Sequence, residues 1–213
     1  MYVYHKELSK PVKNLTEKLL GKQELKSVEQ IITSLVDAIE SRDFITGCHC
    51  ERVASLSEAF GKFLNLSTRK SRDLKWGAYI HDVGKIGVPD SILMKPDKLT
   101  LQEYEVMKQH TLIGEKICKP IKLLRGTLPI IRSHHERWDG SGYPDGLKGR
   151  QIPELAQIFQ FLDIYDALTN ERPYKKPFTK KEAVEILWEE TNLGWRNPQL
   201  MEKFSKFMLL INN

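Results

Sequence analysis

The sequence predicts an all-α fold, on three grounds. Capping boxes recur ahead of apolar runs, at Ser27 with Gln30, Thr100 with Glu103 and Thr179 with Glu182, and mark helix beginnings. Behind the first box, Val28, Ile31, Ile32, Leu35, Val36 and Ile39 trace an apolar stripe of helical period. No segment alternates apolar and polar residues between turn signals, and neither an internal repeat nor a low-complexity tract is present.

Taken in chain order, residues 1–26 are lysine-rich, contain Pro11 and Gly21, and read as a short helical or partly ordered extension. The compact domain is expected over 27–213, its first helix following the stripe from Ser27. His49, Val53, Leu56 and Phe60 share one helical face, and Leu74, Ala78 and His81 another. Gly87, Pro89 and Pro96 make Lys85–Thr100 irregular. The helix opened by Thr100 leads to a face bearing Met107, His110, Gly114 and Ile117, and Ile130 and Ile131 precede the pair His134 and His135. HHERWDGSGYPDGLKG, residues 134–149, carries Gly140, Gly142, Gly146 and Gly149 and predicts a long loop whose backbone lies close to something. IFQFLDIYDAL (158–168) is apolar nearly throughout, and Thr179 opens a further helix. Loops as long as these two in a compact domain are more often functional than accidental.

With 213 residues, 40% hydrophobic and 29% charged, the chain reads as soluble and globular with room for a sizeable core. No apolar run approaches the roughly 20 residues of a membrane span. The opening MYVYHKELSKPVKNL lacks the apolar stretch of a signal peptide, so a cytoplasmic location without a membrane partner is the expectation. The three cysteines (Cys48, Cys50, Cys118) lack C-x-x-C spacing and indicate neither a disulfide framework nor a zinc ribbon. A net charge of +5 favours an anionic partner. The basic residues are spread out and not gathered in a block, which fits a small phosphorylated ligand better than a long nucleic acid.

Five of the six histidines (His49, His81, His110, His134, His135) fall where helices should bury apolar residues, and only His5 lies outside the pattern. One such histidine is ordinary core; five, including a consecutive pair, point to metal ligation. Asp82 adjoins His81, and Asp163 sits among apolar neighbours where an unpartnered carboxylate would be costly and would neutralise. A cation removes that difficulty. Asp166, three residues on, better suits an ion pair or backbone hydrogen bond. Imidazoles and carboxylates without cysteine suit Fe, Mn, Zn or Ni rather than Ca or Mg. Cys48 and Cys50 are offset by one residue from His49 and point off its face.

HDVGK at 81–85 resembles the HD-superfamily metal motif, and HHERWDGSGYP at 134–144 resembles the extended motif of the HD-GYP cyclic dinucleotide phosphodiesterases. The likeness continues through SRDFITGCHCERV, IGVPDSILMKP, MKQHTLIG and LDIYDALTNERPYKK, in order, over about Ser27 to Ala183. The resemblance implies an HD-domain helical bundle with a long glycine-rich GYP loop and two divalent transition metals per chain, iron or manganese. One metal would take His49, His81, Asp82 and Asp163; the other His110, His134 and His135, with Asp82 bridging. It implies hydrolysis of cyclic di-GMP to pGpG, and in some members on to GMP or of the mixed guanine–adenine dinucleotide. A water bridging the metals would be the nucleophile, and Lys85 would bring its ammonium to the phosphate. Lys85, Arg137, Tyr143 and Arg172 are the candidates for holding phosphate or guanine. The implied partners are cyclic di-GMP, a diguanylate cyclase docked on the GYP loop, and a second copy in a homodimer. Two other readings share these residues: a sensing or cyclase-docking module without turnover, and a different HD-type nucleotidase. The chain departs from the family pattern at Leu162, where a small residue is usual, and at Asn197, where Asp is frequent. It departs again at Ile45, where some members place a glutamate that supports a third metal, so the expectation is a two-metal centre.

Overall fold

A computed structural model describes residues 10–42, 44–171 and 176–211, with the backbone alone at 10–20, 40 and 44–48. His5 and Arg172 lie outside the described residues, as do the side chains of Ile45 and Cys48. Among the described residues the fold is all-helical, as the periodicity predicts. The helices are α1 (Lys10–Glu40), α2 (Phe44–Phe63), α3 (Thr68–Ile80), α4 (Asp90–Leu93), α5 (Leu101–Lys108), α6 (His110–Cys118), α7 (Leu128–Ser133), α8 (Glu154–Thr169), α9 (Lys180–Asn192) and α10 (Pro198–Ile211). The nearest thing to a strand is one antiparallel bridge between Asp139 and Lys148 inside the glycine segment. No described helix is long and apolar enough to cross a membrane.

The capping boxes at Thr100 and Thr179 form as expected, each hydroxyl accepting the backbone N–H three residues on while the glutamate accepts the N–H of the cap. The box at Ser27 does not. Helix α1 runs unbroken through it, and the Ser27 hydroxyl donates to the Gln23 carbonyl at 3.0 Å, the bond of a serine inside a helix. The stripe behind it is read correctly at Val28, Ile32, Val36 and Ile39, all buried, but Ile31 is 39% exposed.

Two apolar clusters meet along α3, whose opposite faces feed both. Leu74 and Ala78 join Val53, Phe60, Phe159, Leu162 and Phe204 in one cluster, built largely from α2 and α8–α10. Trp76 and Ile80 join Val28, Ile32, Ile39 and Ile131 in the other, under α1. Phe204 anchors the larger cluster, its ring 5.5 Å from Phe60 and 5.6 Å from Phe161. Each such buried phenyl contributes about 1.5–3 kcal/mol. Leu162 is fully buried in this cluster, so the larger residue is accommodated by the packing. Asn197 caps α10, its side-chain oxygen accepting from the Gln199 N–H at 3.0 Å and its amide donating to Gln157 at 2.7 Å.

Candidate metal centre

Where the clusters meet, five helices and a 3-10 turn deliver polar side chains to one point. The end of α3 supplies His81, and the 3-10 turn that follows (Val83–Gly87) is preceded by Asp82. That turn docks on the start of α6 so tightly that a Cβ on Gly84 would stand 1.8 Å from the His110 carbonyl oxygen. Only glycine permits the approach, and it brings Asp82 to His110. The end of α7 adds His134 and His135, α2 adds His49 and α8 adds Asp163.

The seven predicted ligands form two groups whose ligand atoms lie within 4.8 Å of one another: His49, His81 and Asp163, and Asp82, His110, His134 and His135. Asp82 faces both. Its Oδ2 is 3.4 Å from His81 Nε2, and its Oδ1 is 3.3 Å from His110 Nε2 and 3.8 Å from His134 Nε2. Asp163 Oδ1 lies 3.2 Å from His49 Nε2 and 4.0 Å from His81 Nε2.

Imidazole orientation carries the chemistry. His81 Nδ1 is 2.9 Å from the Ala78 carbonyl, His110 Nδ1 2.7 Å from that of Met107, and His134 Nδ1 3.0 Å from that of Ile131. A carbonyl can only accept, so each Nδ1 carries a proton and each Nε2 is the atom turned to the carboxylates and facing imidazoles. Burial, then the neighbouring His134, hold His110 down to about 4, so it is neutral. Burial, then His134 and His110, push His135 well below the usual range. His110 Nε2 and His134 Nε2 face each other across 3.4 Å. The clustered imidazole and carboxylate donors suit iron, manganese or zinc.

His49 is held differently. Its Nδ1 donates to Asp166 Oδ2 at 2.7 Å, and Asp166 also accepts from Arg52 Nε at 2.7 Å and from the Asn170 amide at 2.9 Å. The supporting role expected of Asp166 is thus present. Burial works against a charge on His49, but hydrogen bonds to Asp163 and Asp166 outweigh it and raise the group to about 9. Burial likewise opposes the charge on Asp82, yet Lys85 and His81 hold it well below the carboxylate range.

Lys85 Nζ lies 2.8 Å from Asp82 Oδ2. Its turn is braced by Arg42, an unforeseen residue whose guanidinium donates to the carbonyls of Lys85 at 3.2 Å, Ile86 at 2.5 Å and Val88 at 2.8 Å, and to the Asp90 carboxylate. No periodic signal could have revealed a contact spanning more than forty residues.

The glycine segment is tied to itself. The buried Glu136 carboxylate accepts from the Asp145 N–H at 2.7 Å and the Leu147 N–H at 3.0 Å, and burial pushes its pKa up. Arg132 grips both oxygens of Asp145 at 2.7 Å and also pairs with Glu115. A Cβ on Gly142 would stand 2.2 Å from the Arg137 nitrogen. At Gly142 the close approach is of the loop to its own backbone at Glu136 and Arg137.

Tyr143 stacks on His135 with ring centroids 4.7 Å apart, and the Arg137 guanidinium carbon lies over the Trp195 ring, 3.8 Å from its centre. Both line a cleft of about 330 Å³ that opens onto His134, His135 and Asp163. Tyr104, Lys108 and Arg196 also line it and were not foreseen. Cys50 and Cys118 are buried and belong to neither ligand group, and burial raises the Cys118 thiol to about 11.

Comparison with known proteins agrees with this geometry. A family model described as the HD domain matches residues 33–200. A Thermotoga maritima protein named cyclic di-GMP phosphodiesterase is 37% identical over 96% of this chain and 58% of its own length. A Vibrio cholerae protein named 3'3'-cGAMP-specific phosphodiesterase 2 is 37% identical over 82% of this chain and 34% of its own. The chain thus spans less than two thirds of either relative. Among solved structures, Bd1817, a HDG"Y"P protein from Bdellovibrio bacteriovorus, aligns with a TM-score of 0.61 at 23% identity, over 78% of this chain and 52% of that one, a likeness of fold.

Proposed function

Because this chain belongs to the HD-domain family, we propose that it is a metal-dependent phosphodiesterase of the HD-GYP kind, hydrolysing cyclic di-GMP to pGpG. The carrying observation is the convergence of seven ligand atoms in two groups with one Asp82 oxygen facing each. Two divalent metals, iron or manganese, when bound would supply the Lewis acidity that activates water and draws charge from a phosphoryl oxygen. The first would be held by His49, His81, Asp82 and Asp163, and the second by Asp82, His110, His134 and His135.

The chain's own residues do the rest. Carbonyl acceptors orient His81, His110 and His134, and Asp166 orients His49, so four of the five imidazoles are positioned before a metal arrives. Lys85, held at Asp82 and braced by Arg42, presents an ammonium where charge develops on the phosphate. Arg137 and Tyr143 line the cleft that would receive the dinucleotide; Arg172 belongs to the same reading from sequence alone. A cyclic di-GMP sensor without turnover would have no use for seven convergent ligand atoms. The reaction would be cytoplasmic, and the rigid face of the glycine segment is the surface on which a cyclase would dock.

The test is turnover by protein loaded anaerobically with Fe(II) or Mn(II) and offered cyclic di-GMP, the mixed guanine–adenine dinucleotide and cyclic di-AMP in parallel. Release of pGpG that stops on chelation is expected. Binding of cyclic di-GMP without hydrolysis by fully metallated protein would establish the sensing reading instead.

A further inference from the structure

A cyclic dinucleotide carries two phosphodiesters, and the metal centre engages only one. The other brings a full negative charge into or against the cleft. At about 330 Å³ that cleft is at the small end for a ligand of such size, so part of the molecule must rest on its rim.

Three cations line the cleft, and they differ in what already occupies them. Arg196, 7% exposed, is committed to Glu190 at 2.8 Å and to Gln160 at 3.4 Å. Arg137 is spread over Trp195. Lys108, at the end of α5, pairs with Glu105 at 2.5 Å, but that carboxylate is 65% exposed. Ion pairs of this exposed kind are worth no more than about 1 kcal/mol, so a phosphate can replace the carboxylate at little cost.

The Lys108 ammonium is also held in place without the carboxylate. It sits 5.4 Å from the ring centre of Tyr104 and 5.6 Å from that of Tyr143, a position favoured by the negative faces of both rings. Tyr143 in turn stacks on His135, and Lys108 lies two residues before His110, so two separate routes tie its position to the metal ligands. Tyr104, one turn earlier on α5, stands edge-on to Tyr143 and is 44% exposed at the rim, leaving ring surface for a base.

We propose that Lys108 binds the phosphodiester that is not being cleaved, with Tyr104 as the platform for the nucleotide attached to it. Lys108 is thus a specificity residue for substrates with two phosphates, distinct from Lys85 at the reacting one. This assignment rests on the phosphodiesterase reading above.

The experiment compares cyclic di-GMP with bis(p-nitrophenyl) phosphate, which has a single phosphodiester and needs only the metal centre. Lys108→Gln should raise KM for cyclic di-GMP about 10-fold with kcat changed by less than about 3-fold, the signature of lost uniform binding. Metal content and turnover of the small diester should be unchanged. Lys108→Arg should restore most of the affinity, and Glu105→Gln, which removes the competing carboxylate, should lower KM. Equal losses on both substrates, or an unchanged KM in Lys108→Gln with active wild-type protein, would overturn the proposal alone. Wild-type protein that cleaves the small diester but no cyclic dinucleotide would remove the reading beneath it, and the proposal with it.

Discussion

Asp166→Asn tests whether the centre depends on residues that never touch a metal. The carboxylate accepts from His49 Nδ1 through Oδ2 at 2.7 Å, and from Arg52 Nε and the Asn170 amide through Oδ1 at 2.7 and 2.9 Å. An amide keeps the shape but has one oxygen, and because Arg52 also donates from Nη2 to Oδ2 at 2.9 Å, Arg52 faces an NH2 group in either orientation and His49 in one of them. The loss of one charge-assisted hydrogen bond at a buried position costs about 1.5–3 kcal/mol in stability. If the amide turns its NH2 towards His49, the imidazole loses its orientation and basicity, for which metal affinity typically falls 10–100-fold, about 1.4–2.7 kcal/mol. Because His49 Nε2 belongs to the group with His81 and Asp163, the loss should fall on one metal while the second stays. Competition with a graded chelator, followed by metal analysis, reads the two affinities separately, and urea unfolding of the metal-free protein gives the stability term. A variant less stable by the expected amount but with both affinities unchanged would refute the idea that Asp166 acts through His49.

Four further outcomes follow from the same geometry. Asp82→Ala should lose both metals together and all activity, since its two oxygens face different groups; one retained metal by elemental analysis would show that Asp82 does not bridge. Lys85→Ala should keep its metals while kcat drops about 10²-fold; parallel metal loss would assign the lysine to site assembly. Tight metal should approach two per chain after desalting, whereas Ile45→Glu, one turn before His49 on α2, should raise that number; a wild-type value near three would refute the two-metal reading. Metal-free protein should lose stability as pH rises. The raised His49 group, at about 9 against an ordinary 6.5, stabilises fully below 6.5 and loses that contribution as pH climbs through 9. The upper bound is about 3 kcal/mol, and a flat profile by chemical denaturation from pH 6.5 to 9 would contradict it.

What the sequence disclosed and what it concealed divide along physical lines. Helices and the clustered histidines were legible because a buried imidazole or carboxylate contradicts its apolar surroundings, and the contradiction is local: His81, Asp82 and Asp163 are each conspicuous within a few residues. Asp166 was legible for the same reason. Residues that act across the chain were not. Arg42 reaches a turn more than forty residues away, Glu136 looks like any loop acid until its burial is seen, and Lys108 and Tyr104 resemble the solvated face of a charged helix. The box at Ser27 misled because Ser-x-x-Gln is equally at home inside a helix, where the hydroxyl bonds back to the preceding turn. Gly142 was legible only in part: composition tells that backbone comes close to something, and only coordinates tell that at this position it is Glu136 and Arg137.

The self-tied glycine segment changes how recognition at this centre should be costed. A sixteen-residue connection would ordinarily sample many shapes and surrender that freedom whenever something bound to it. Here Glu136, Arg132 and the close seating of Gly142 have taken up that loss during folding, before any ligand arrives. A nucleotide or a protein meeting this face therefore encounters a fixed relief. Its association should carry little of the ordering penalty, and the unfavourable entropy, that accompany disordered recognition loops. Calorimetry on Glu136→Gln would expose the difference: releasing the segment's internal ties should shift the cost of ordering from folding to binding, with affinity lost chiefly through the entropy of association.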